Sequence, residues 1–177
     1  MSDYDNSCIH RYHLASSAIS KWLLPYKPYG LSLTSSCNLL VTCRKPNTLV
    51  ELSADSGQWV RIVALQSGIV KPYHGVQLTT GQLVVCHGDQ VSVVGDDGKV
   101  TLSYGGETSS RVRIMNAPCH LAVDKDSQFI FVADEYKSRV VLLSPTLELV
   151  RYVGEGLSYV RRLYLSLIHI SEPTRPY

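Results

Sequence analysis

The sequence predicts an all-β fold, a β-propeller of four-stranded blades, and three observations carry that prediction. A proline recurs ahead of a short strand at Pro28, Pro72 and Pro118, spacings of 44 and 46 residues. Between these prolines, short apolar segments alternate with turns rich in Gly, Asp, Asn and Ser. The clearest copy reads Pro118-Cys119-His120-Leu121-Ala122-Val123, then Phe129-Ile130-Phe131-Val132-Ala133-Asp134, then Arg139-Val140-Val141-Leu142-Leu143. Four strands in about 40–45 residues is the period of one propeller blade. Such a unit cannot bury its apolar face alone, so blades must stack, and function falls on loops and channel faces.

The innermost strand of each blade follows the repeat proline, as in Tyr29-Gly30-Leu31-Ser32-Leu33 and Tyr73-His74-Gly75-Val76-Gln77-Leu78. Second strands are predicted over 38–43, 82–86 and 129–133, third strands over 49–52, 90–94 and 140–144, and outer strands over 59–63, 100–104 and 149–153. Ala54-Asp55-Ser56-Gly57, Gly95-Asp96-Asp97-Gly98 and Asp124-Lys125-Asp126-Ser127 are turn signals between them. Ser2–Ile9 aligns without a gap on Ala133–Val140, so the chain is expected to open inside a blade, with strands at 8–13 and 19–24. Arg161-Arg162-Leu163-Tyr164-Leu165 reads as the first strand of a further blade. The expected divisions are the end of a blade (1–26), full blades at 27–69, 70–116 (with a linker) and 117–157, the start of another (158–165), and a non-native tail (166–177). That last expectation rests on Leu165–Arg175, which resembles the translation of a common sequencing adapter and is therefore set aside with His169 and Arg175.

Composition narrows the function classes. A hydrophobic fraction of 45% with modest charge fits a globular chain. A net charge of +2 implies no strong attraction to nucleic acid or membrane, and no DNA partner is expected. No run of about 20 apolar residues offers a transmembrane helix, and Met1-Ser2-Asp3-Tyr4-Asp5 is not the start of a signal peptide. The five cysteines, Cys8, Cys37, Cys43, Cys86 and Cys119, include no Cys-x-x-Cys pair. They read as small core hydrophobes in a reducing compartment, giving a cytoplasmic location as the expectation. No Gly-x-Ser-x-Gly, Walker loop, Gly-x-Gly-x-x-Gly or His-Glu-x-x-His occurs.

The order Pro-x-His/Gly-apolar, Phe-Val-Ala-Asp, Arg-Val, apolar strand and Gly resembles NHL repeats over about residues 2–165. Asp134 and Arg139 match the aspartate and arginine positions of that family, and Lys137 departs from its asparagine. Asp3 and Asn6 match in the N-terminal partial blade, where Cys8 replaces the arginine. The segment from Cys43 to Leu49 loses all three polar positions. The third full copy is similar to the C-terminal region of tripartite-motif proteins. That resemblance implies a partner- or substrate-recognition propeller whose ubiquitin ligase activity belongs to an upstream RING, so no catalytic residue and no cofactor is expected here.

Three groups of residues are candidate sites. Asp3 and Asp134, at second-strand ends, suit a turn role in which the carboxylate accepts nearby backbone N–H groups. His74 and His120 share one register, two residues after the repeat proline, and could point at one place in the channel. Some NHL-like propellers are lyases that hold zinc with channel histidines, but zinc needs three or four ligands and Gly30 holds the equivalent position here. Arg61, Lys71, Arg111 and Arg113 lie in or near inter-blade linkers. They could bind RNA phosphates, with Trp59, Tyr73 and Tyr104 stacking bases, although Glu107, Asp96 and Asp97 dilute the field. The favoured expectation is a scaffold for a protein partner, with an RNA reader and a metal-dependent lyase-like propeller as alternatives.

Overall fold

The computed structural model describes residues 1–107, 113–154 and 156–165. Four antiparallel sheets follow one another along the chain. The first contains β1 (Ser2–Asp3), β2 (Cys8–Tyr12) and β3 (Ile19–Leu23). The second contains β4 (Pro28–Leu33), β5 (Leu39–Arg44), β6 (Asn47–Leu52) and β7 (Trp59–Ala64). The third contains β8 (Pro72–Gln77), β9 (Leu83–His87), β10 (Gln90–Val94) and β11 (Val100–Gly105). The fourth contains β12 (Pro118–Val123), β13 (Ile130–Asp134), β14 (Arg139–Leu143) and β15 (Leu149–Val153), with a single 3-10 turn at Glu135–Lys137. Each sheet is a meander in which every strand pairs with its neighbours in sequence.

Side chains alternate across a strand, and here the two faces of one strand enter different cores. Leu40 and Leu49 pack with Leu83, Val85 and Val94 between the second and third sheets. Val41, Cys43, Val50 and Leu52 face the other way and pack with Ile9 of the first sheet and with Leu24, which follows β3. Val84, Cys86, Val91 and Val93 repeat the arrangement one blade on, against Leu121, Ile130, Val132 and Val141. In the second and third sheets the second and third strands are therefore buried on both faces and read as continuous apolar runs, as in Leu83-Val84-Val85-Cys86. Outer strands such as β15 are exposed along most of their length.

The gapless alignment of the N-terminal segment holds in register, since Asp3 pairs with Cys8 as Asp134 pairs with Arg139. Three expectations need correction. Arg161–Leu165 forms no strand; it runs beside β12, where Leu163 N–H reaches His120 Nδ1, but among the described residues it has no second strand to pair with. The strand pattern predicts burial of Phe129, Phe131, Val123 and Val141, but the first three are only half-buried and Val141 alone is fully buried. Phe131 lies on the opposite face of β13 from Ile130 and Val132, and only these two join the core shared with the third sheet. The sequence places Cys43 and Cys86 at the ends of equivalent second strands; both are fully buried, but they are not equivalent, because Pro28 pairs with Cys43 while Pro72 pairs with His87.

Candidate functional site

Each innermost strand carries a register break immediately after its proline, between Pro28 and Gly30, Pro72 and His74, and Pro118 and His120. A bulge re-aims the side chain of its extra residue. The three extra residues, Tyr29, Tyr73 and Cys119, line one cleft of about 850 Å³ with the residues that follow them, Gly30, His74 and His120. Arg44 at the end of β5 and Glu135 after β13 complete its walls, with Arg161 and Arg162.

The histidines form a stack. The rings of His74 and His120 lie 4.1 Å apart and nearly parallel, at 17°. Leu121 N–H donates to His74 Nδ1 at 3.3 Å, and His74 Nε2 sits 3.0 Å from Leu31 O. An Nδ1 that accepts a hydrogen bond carries no proton, so the neutral ring holds its proton on Nε2 and donates it to Leu31 O. Burial, with the neighbouring His120, pushes the His74 pKa down to about 4. Both nitrogens are thereby used within the protein, which leaves no lone pair for a metal. The third member of the register, Gly30, is small of necessity: a Cβ there would lie 2.5 Å from Tyr73 O and 2.9 Å from His74 Cα. His120 accepts from Leu163 N–H at 3.4 Å, and burial followed by the charge of Arg162 lowers its pKa.

Arg44 is held differently. Its guanidinium carbon lies 4.2 Å from the ring centres of both Tyr29 and Tyr73, and those two rings meet edge-on at 5.7 Å. Arg44 Nε is buried with no hydrogen-bond partner, and no carboxylate pairs with Arg44 among the described residues. By register Glu135 occupies the equivalent place in the fourth sheet, and there the carboxylate binds Arg161 Nε at 2.7 Å. Among the described residues the cleft thus holds one ion pair, Arg161 with Glu135, while neither Arg44 nor Arg162 pairs with a carboxylate.

The other sequence-derived candidates lie apart from it. Arg61, on the outer strand β7, binds Glu51 at 2.7 Å and also Asp96. Burial works against charge on Glu51, yet hydrogen bonds from Asn38 and Arg61 outweigh it and hold that carboxyl below its usual range. Arg113 pairs with Asp89 at 3.3 Å. Lys71 is exposed immediately before β8, and Arg111 lies outside the described residues. Asp134 is fully buried; it accepts Asn116 N–H at 2.7 Å and pairs with Arg139 at 3.0 Å, and burial nonetheless raises its pKa. Asp3 accepts Asn6 N–H at 3.1 Å. Arg44 and Glu135 were not legible as site residues, whereas Tyr29 and Tyr73 carried a signal in each directly following a repeat proline.

No protein-family model matches the sequence, and no curated protein matches it. Solved structures do. The chain is similar to virginiamycin B lyase from Staphylococcus aureus, at 14% identity and a TM-score of 0.65, over 89% of this chain and 52% of that one. It is similar to a protein of unknown function from Bacteroides caccae at 16% identity and 0.68, over 84% and 54%. It is also similar to the hydrazine synthase of Kuenenia stuttgartiensis at 17% identity and 0.59, over 76% and 38%. The chain is an open arc of a β-propeller. It spans about half or less of the length of these neighbours. At such identities the likeness is one of fold, and the cleft described above lies at the starts of the propeller's innermost strands.

Proposed function

We propose that this propeller arc is a recognition scaffold whose inner cleft takes an acidic segment of a protein partner. The observation that carries the reading is Arg44: a guanidinium whose carbon lies 4.2 Å from the ring centres of two tyrosines, its Nε buried and unpartnered, on the wall of an 850 Å³ cleft. Planar cations stacked on aromatic faces are suited to carboxylate recognition, and Tyr and Arg are the residues that most often anchor protein interfaces. A binding role, not a catalytic one, is supported by the histidines, since His74 spends both ring nitrogens on Leu31 and Leu121. On the resemblance to NHL repeats, the scaffold would serve as the partner-recognising end of a tripartite-motif-like ubiquitin ligase. The RNA alternative is weakened because Arg61 and Arg113 are already paired with carboxylates.

Panning a displayed random-peptide library on the purified chain tests this. Enriched peptides should be rich in Asp and Glu, and their binding should be lost in Arg44→Gln and Tyr73→Ala but kept in Ile62→Ser on the outer strand β7. Binding that survives both cleft substitutions, or tight sequence-selective binding of single-stranded RNA at physiological salt, would sink the reading.

A further inference from the structure

We infer that the first sheet carries a binding site for a divalent transition metal of the zinc class, formed by Asp3, Cys8 and His10. The site grows out of the repeat itself. In the fourth sheet the buried carboxylate of Asp134 is neutralised by Arg139, its register partner on the next strand, at 3.0 Å. In the first sheet the equivalent pair is Asp3 and Cys8, so the carboxylate has lost its guanidinium. His10 lies two residues beyond Cys8 on β2 and therefore on the same face of the sheet.

The three side chains converge. Cys8 Sγ is 3.3 Å from His10 Nε2, and His10 Nε2 is 3.5 Å from Asp3 Oδ2. The three potential ligand atoms all lie within 4.8 Å of one another. Zinc bonds to sulfur at about 2.3 Å and to nitrogen or oxygen at about 2.0–2.2 Å, so the edges of a tetrahedral site measure roughly 3.3–3.6 Å. The two measured separations match those edges. A thiolate, an imidazole and a carboxylate together favour zinc or cobalt over magnesium or calcium. Asp3 remains fixed by the turn, since Oδ1 accepts Asn6 N–H and Oδ2 accepts Asn6 Nδ2–H at 2.9 Å. Cys8 is fully buried while Asp3 and His10 are partly exposed, so one side of the ligand set faces solvent and a water can fill the fourth position. Binding a metal deprotonates the thiol and releases its proton to solvent. The ion then supplies, at Asp3, the positive charge that Arg139 supplies at Asp134.

Cobalt(II) added to the full, reduced chain is the probe. The expected result is one cobalt per chain, with a thiolate-to-cobalt charge-transfer band and the d–d absorption of a tetrahedral site. Cys8→Ser should abolish the charge-transfer band. His10→Ala and Asp3→Asn should each weaken binding at least tenfold, the loss that removing even an outer partner of a ligand causes. Cys37→Ser, which removes an exposed thiol, should leave the spectrum intact. Because Cys8→Ser alters a buried position, the partly exposed His10→Ala variant decides the matter if Cys8→Ser fails to fold. Zinc should also raise the melting temperature of the parent chain but not of His10→Ala. An absent charge-transfer band, a band that survives in Cys8→Ser, or unchanged affinity in a folded His10→Ala variant would overturn the site.

Discussion

His74 is the residue on which most of the inner cleft depends, and its chemistry makes it sensitive to acid. An imidazole in the unfolded chain takes a proton near pH 6.5, while the folded ring resists protonation down to about 4. The unfolded state therefore binds more protons across that interval. The stability His74 contributes is whole above pH 6.5 and is lost as pH falls toward 4, by roughly 3 kcal/mol at the bottom of the range. His87, also held near 4 by burial and set against Ser92, adds in the same direction. Urea midpoints measured between pH 7 and 4 should fall with acidification, and His74→Gln should flatten the fall. An unchanged slope in that variant would mean the ring is not the buried neutral group described. Gly30 makes the complementary prediction. A Cβ there meets main-chain atoms that cannot move aside, so Gly30→Ala should cost about 1–3 kcal/mol of stability despite adding a single methyl group.

At the scale of the element, the second and third strands of the two middle sheets carry the stability because both faces of each are enclosed. Leu49→Ala should cost about 2–5 kcal/mol, read from denaturant midpoints. Phe131→Ala, at a half-buried position, should cost clearly less than the 3–5 kcal/mol typical of a fully enclosed phenylalanine. If the two costs came out in the opposite order, the assignment of faces would be wrong. This contrast also shows what was legible in the sequence. Strand positions were, because proline spacing and apolar runs report backbone pattern. Which face of β13 meets a neighbour was not, because Phe129 and Phe131 are as apolar as Ile130 and Val132 and alternation alone does not say which set is covered. The bulges were invisible for a related reason. A one-residue register break has no compositional mark beyond the proline before it, yet it turns Tyr29 and Tyr73 into the cleft. Arg44 escaped notice because its partners come from two different blades. The ligand set at Asp3 was half-legible: alignment placed Cys8 where an arginine belongs, but His10 enters only through the pleat.

For the whole molecule, the sheets contact each other in sequence order, and the far face of the fourth sheet presents Phe131 without a described sheet against it. Apolar surface of this kind promotes association. Sedimentation velocity should show assembly that grows with concentration and weakens in Phe131→Ser; a single monomeric species at every concentration would refute this. Among the described residues no helix is long and apolar enough to cross a membrane.

One imidazole in this arc touches three successive blades, accepting from Leu121 in the fourth sheet and donating to Leu31 in the second while its own backbone belongs to the third. Repeat arrays are ordinarily described by terms for each unit and for each adjacent pair. The His74 ring adds a coupling that skips a unit, so the equilibrium between partly and wholly folded arcs is not a simple chain of pairwise steps. Its loss, by substitution or by protonation, should do more than lower a midpoint: it should broaden the transition, letting the end blades melt at different denaturant concentrations where the intact arc melts as one.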